Sequence, residues 1–180
     1  MRSIARCVDF SLGYSAWDLH KAAIALVLLS SGCLAGDDID TTFDPCSPLT
    51  IVARFDTLDD ELQSVDAAIA SWTQVLPTRI SLARDEENSE GLKIAFESGD
   101  SFYRAIYFDR RGEILINRGA LTLEEMPLAI AHELGHAFGL LHVSAEERLS
   151  VMNVGNIDVV PNSDDASSVS AVWDACSPAP

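Results

Sequence analysis

The sequence predicts a single α+β domain, on three observations. Runs rich in β-branched and aromatic residues at 49–55, 79–83, 92–96, 102–108 and 113–117 read as five strands. Helical spacing marks three other stretches: Leu62, Val65, Ile69, Trp72 and Val75 ahead of Pro77, then 127–140, then 163–173. At 180 residues, 48% hydrophobic and 22% charged, the chain has room for one well-filled core and lacks the composition of a disordered protein.

Taken in order, residues 1–32 read as an export segment. Arg2, Arg6 and Lys21 precede an uncharged run at 22–36 whose apolar heart is 22–29. That run is shorter than the roughly 20 residues of a bilayer-spanning helix and suits a signal-peptide core. Leu29-Ser30-Ser31-Gly32-Cys33 resembles a bacterial lipobox with its leucine one place early, making Cys33 a lipidation site. Ordinary secretion after conventional cleavage, or a retained anchor, stays open. Lipidation and secretion both lead to an oxidising compartment.

Residues 33–48, acidic and with two prolines, read as a tether to a domain at 49–180. Thr57-Leu58-Asp59-Asp60 resembles a capping box with aspartate at its last position, opening the first helix. The aromatics Phe102, Tyr103, Tyr107 and Phe108 are expected to pack, and Asp109-Arg110-Arg111-Gly112 to turn the chain into the fifth strand. Pro127 suits the first turn of the second helix, with Leu128, Ala131, Leu134 and Phe138 facing the core. Ser163 is the expected cap of the last helix, with Asp164 and Asp165 at its positive end and Val169, Val172 and Trp173 on its buried side.

The chemistry lies in the second of these helices and the turn after it. His132 and His136 are four residues apart, which stacks both imidazoles on one helical face within reach of one metal ion. Glu133 points off that line and is placed to serve as a general base. Gly139 takes positive φ without steric cost, so it can end the helix and return His142 to the same point. Three imidazoles with one open position describe a catalytic zinc site. The chain has only four histidines, and three of them fall here.

This H-E-x-x-H-x-x-G-x-x-H pattern resembles the metzincin zinc peptidases, most closely the matrixin group. Ser150-Val151-Met152 resembles the Met-turn of that family, with Met152 beneath the metal. Asn153-Val154 departs from the residue-then-proline that many matrixins carry next. The resemblance implies a twisted five-stranded mixed sheet with one antiparallel edge strand, here 102–108, lining the substrate cleft, and three main helices. It implies Zn²⁺ held by His132, His136 and His142, with Glu133 as general base, and a peptide substrate added to the edge strand. Ile157, Val159 and Val160 would then wall an apolar pocket. In matrixins the mature N-terminal segment packs near the last helix, which favours a Cys46–Cys176 disulfide. Cys46 as a zinc-blocking switch is the alternative, although no longer pro-segment is recognisable. A second, structural zinc lacks its ligands, because His20 lies in the export segment. Calcium stays open and unplaced, since no loop spells an EF-hand.

The formal net charge of −16 repels phosphate backbones and excludes a nucleic-acid partner. Membrane contact is expected only through a lipid at Cys33. The sequence therefore reads as a monomeric zinc endopeptidase acting on protein or peptide, exported as a cell-envelope lipoprotein or freely secreted. The alternative is a catalytically idle, zinc-stabilised binding lipoprotein, against which Glu133 counts, since a purely structural site has no use for it.

Overall fold

The computed structural model describes residues 39–84, 90–99 and 103–176, all within the compact unit Asp37–Pro180. The export segment and Cys33 lie outside the described residues.

The elements run β1 (Leu49–Ala53), α1 (Asp59–Thr73), β2 (Ile80–Arg84), β3 (Leu92–Glu97), β4 (Ala105–Phe108), β5 (Glu113–Asn117), α2 (Met126–Ala137) and α3 (Ser163–Val172). A single 3-10 turn, Asp174–Cys176, follows α3. The strands form one sheet in the order β2-β1-β3-β5-β4. β1 pairs in parallel with β2 and β3, and β3 with β5, whereas β4 lies antiparallel to β5 at the edge. The α+β class, the mixed five-stranded sheet and its antiparallel edge are as the sequence predicts.

Side chains alternate across a strand, so every second residue faces the core. Ile51 and Ala53, then Leu92, Ile94 and Phe96, then Ile114 and Ile116 form that buried face, all 1% exposed or less. α1 covers it with Val65, Ala68 and Trp72, and α2 with Ile130, Leu134 and Ala137. Trp72 joins the two helices. Its indole Nε1–H donates to Ala131 O at 3.0 Å, and its ring meets Phe138 edge-on with centroids 5.3 Å apart. α2, the helix that carries His132 and His136, is thereby fixed from behind by an apolar wall.

Several element ends differ from expectation. α1 begins one residue later, with Leu58 at the cap, and only half of a capping box forms: Glu61 accepts the Leu58 N–H at 2.8 Å. Glu61 is 2% exposed because Arg118 reaches it across the sheet end at 2.8 Å. At α3 the cap is Asn162, which accepts from Asp164 N and Asp165 N, while Asp165 accepts from Asn162 N. Asparagine at 162 outcompetes the serine because its longer side chain reaches both amides. Of the three residues expected on the buried side of α3, Val169 enters the core and Trp173 packs against it, whereas Val172 is 48% exposed.

The described part of the segment read as a tether, residues 39–48, lies against the domain. Phe43 N donates to Ala137 O at 2.7 Å, Arg79 N to Pro45 O at 2.9 Å, and Tyr107 OH to Thr41 O at 2.7 Å. Cys46 and Cys176 form a disulfide between this segment and the turn after α3.

Candidate active site

α2 carries His132 and Glu133, which are 6% and 7% exposed, and His136 one turn on. The helix stops at Ala137, short of the expected 140, and a hydrogen-bonded turn ends it. Leu140 N donates to Gly135 O and Gly139 N to His136 O, both at 2.9 Å, while Gly139 adopts φ +94°. This Schellman closure needs a left-handed residue at 139, where glycine avoids a Cβ clash. It throws the chain back so that His142 faces the helix it has just left.

The three rings converge through Nε2. His142 Nε2 stands 3.2 Å from His132 Nε2 and 3.2 Å from His136 Nε2. Two nitrogens on a tetrahedral zinc, with bonds of about 2.0–2.1 Å, stand roughly 3.3–3.4 Å apart. The other nitrogens are held by carbonyls: His132 Nδ1–H donates to Val151 O at 2.6 Å and His136 Nδ1–H to Leu140 O at 2.8 Å. A carbonyl only accepts, so both rings carry their proton on Nδ1 and aim a lone pair from Nε2. One proton on His142 could satisfy only one of those lone pairs. A cation satisfies all three, and His132, His136 and His142 form a group able to hold a metal ion.

Electrostatics point the same way. Burial pushes His136 down to about 4, with the Leu140 carbonyl opposing, and holds His132 below the ordinary histidine value. Both imidazoles are therefore neutral at pH 7, the form that binds metal. Burial pushes Glu133 up to about 7, with the Tyr107 backbone N–H opposing. A carboxylate of that basicity is matched to proton transfer near neutrality.

The site opens on a cleft of about 570 Å³ whose lining includes β4 residues, the three histidines, Glu133 and the loop Val154, Gly155, Asn156 and Ile157. Asn117 N donates to Arg104 O at 2.8 Å. By the alternation of an antiparallel ladder, Ala105 and Tyr107 then turn their N–H and C=O outward, away from β5. The outward N–H of Tyr107 is the one Glu133 meets. Of the three residues expected to wall a pocket, Ile157 lines the cleft, whereas Val160 is 54% exposed to solvent.

Met152 is fully buried and lies against Gly135 of α2. A Cβ at Gly135 would overlap its Sδ, so the glycine inside the motif is required by Met152. Asn153 answers the departure from the matrixin pattern. Its side chain accepts from Ser150 N and donates to Val143 O and Arg148 O, each at 3.0 Å, closing the turn. Val143 N donates to Met152 O at 3.0 Å, tying the His142 loop to the turn. Sequence reading gave no site role to Gly135, Asn153 or Asp165, and Ser150 entered only as part of the Met-turn pattern. The family pattern drew notice to the methionine, and nothing local marked the polar groups that hold it.

No family model matches the chain, and no curated protein matches it. Among solved structures the chain is similar to myroilysin, at 17% identity and a TM-score of 0.41, over 58% of this chain and 54% of that one. The chain thus spans about half the length of that protein. A likeness at that level carries no functional weight.

Proposed function

We propose that this chain is a zinc-dependent endopeptidase of the metzincin type, with matrixin-like features. The observation that carries the reading is the convergence of three lone pairs beside a buried carboxylate at an open sheet edge. His132, His136 and His142 would hold the metal. Zinc, when bound, supplies Lewis acidity that polarises a scissile carbonyl and makes water acidic enough to attack at neutral pH. Glu133 takes a proton from the attacking water on its carboxylate and hands it to the leaving amine. The Tyr107 N–H keeps that carboxylate turned toward the cleft. An extended peptide would pair with the outward N–H and C=O of Ala105 and the outward C=O of Tyr107 as an added strand.

The site of action is proposed to be outside the cytoplasm, as a monomer, either lipidated at Cys33 or freely secreted. The Cys46–Cys176 bond is in keeping with an oxidising compartment.

The test is cleavage of a mixed-sequence peptide library by the purified chain, with and without a zinc chelator, beside its metal content. Chelator-sensitive cleavage at one zinc per chain is expected. Glu133→Ala should keep its zinc and lose at least about 10²–10⁴-fold in turnover. Full turnover in that variant would remove Glu133 from the mechanism. Zinc without any cleavage would turn the reading toward an idle binding protein.

A further inference from the structure

Asp165 is fully buried, yet capping α3 uses only part of its capacity. Oδ2 accepts from Asn162 N and Val151 N, both at 3.1 Å. Oδ1 accepts from Arg148 NH1 at 3.0 Å and from the Ser150 hydroxyl. Ser150, itself fully buried, accepts in turn from Met152 N at 3.0 Å. That N–H belongs to the same peptide group as Val151 C=O, which receives His132 Nδ1–H at 2.6 Å.

The four groups therefore form one directed chain: imidazole N–H to peptide carbonyl, peptide N–H to hydroxyl, hydroxyl to carboxylate. Each donor is polarised by the acceptor beyond it, and the carboxylate at the end strengthens every link. A carboxylate on the outer nitrogen of a ligating histidine fixes its tautomer and raises its basicity. Here that influence is transmitted through a serine and a peptide unit.

We infer that Ser150 and Asp165 are positioning residues for the metal site, joined by the 151–152 peptide to His132 in a relay that commits its Nε2 lone pair to the metal. The inference rests on reading the three histidines as a metal site. Neither residue touches substrate, and both act through His132. The remaining donors to Asp165 make the relay rigid: Arg148 is anchored at its other nitrogen by Ser168 Oγ at 3.2 Å.

The test uses the full chain and two readouts independent of peptidase activity. Heteronuclear NMR of the metal-free protein at neutral pH should place the His132 ring proton on Nδ1, far downfield, and Ser150→Ala should move it upfield. Competition against a chromophoric chelator should give zinc affinity about 10–100-fold weaker in folded Ser150→Ala and Asp165→Asn. A purely architectural role would lower their stability and leave both readouts unmoved. Protonation of His132 on Nε2 in the unmodified protein would overturn the relay without any variant. So would zinc affinity in folded Ser150→Ala within about twofold of the parent. Failure of the parent to take up zinc would sink the metal reading, while the tautomer would still decide the relay.

Discussion

At the scale of single residues, position overrides type. Glycine inside a helix ordinarily costs about 1 kcal/mol against alanine, so Gly135→Ala would stabilise an unconstrained helix. Here the new methyl meets Met152 Sδ, on a side chain with no solvent exposure. Overpacking of that kind costs about 1–3 kcal/mol. Gly135→Ala is expected to lower the denaturant midpoint in the parent, and to cost less when it is made in a Met152→Ala background. A midpoint that rises would reject the contact. His136 makes a second prediction. Its folded value of about 4 lies below the ordinary 6.5, so the unfolded chain takes up the proton first as pH falls. In the metal-free protein His136 should contribute a loss of about 3 kcal/mol between about pH 6.5 and pH 4. Glu133 contributes in the opposite sense, because its raised value makes the folded chain take up that proton first. The His136 part is therefore read as the difference in slope between the parent and a His136 variant. Urea unfolding at several pH values, compared with His136→Gln, checks it: a variant that keeps the same slope would assign the loss elsewhere. His132 and Glu133 were legible because their relation to His136 is set by helix pitch alone. The serine and carboxylate behind His132 were not, because Asp165 lies on another element and its local context reads as an ordinary helix start.

At the scale of elements, the edge strand and the end of α2 do the positioning. The carbonyls past the last turn of α2 are taken by distant partners: Ala137 O by Phe43 N and Phe138 O by Trp173 Nε1, at 2.7 and 2.8 Å. The turn that delivers His142 is thus braced by both ends of the domain. β4 makes a sharper prediction. Proline is tolerated where a strand N–H faces away from its neighbour, and the N–H of Ala105 faces the cleft. Ala105→Pro should fold normally and keep its zinc. It should raise KM for peptide substrates about tenfold, the worth of one main-chain hydrogen bond, and leave kcat near the parent. Unchanged KM would mean that peptide does not pair at that position. The strands themselves were legible from their β-branched and aromatic content, and their ends were not: pairing with β5 decided that β4 starts at Ala105.

At the scale of the whole molecule, one covalent bond closes the domain. Cys46 and Cys176 are separated by 130 residues and are 6% and 2% exposed. A closed loop of that length restricts the unfolded chain, with a stabilisation of about 3–5 kcal/mol in the entropic account. Replacing both cysteines by alanine should lower stability by that order, measured by denaturant unfolding under identical metal loading. A loss under about 1 kcal/mol would mean that the packing of Phe43 and Trp173 holds the two ends together without it.

By itself, the sequence determined what depends on short-range geometry. Helix pitch puts His132 and His136 on one side, a glycine can reverse the chain at 139, and runs of β-branched and aromatic residues mark five strands whose order implies α+β. Tertiary structure alone decided the rest. It chose which carbonyl orients each imidazole, which strand edge stays open, and which buried carboxylate stands behind the metal turn. The physical reason is distance along the chain. A hydrogen bond between residues 132 and 151, or between 150 and 165, leaves no periodicity in the sequence, and it exists only once a shared apolar core has brought both partners out of water.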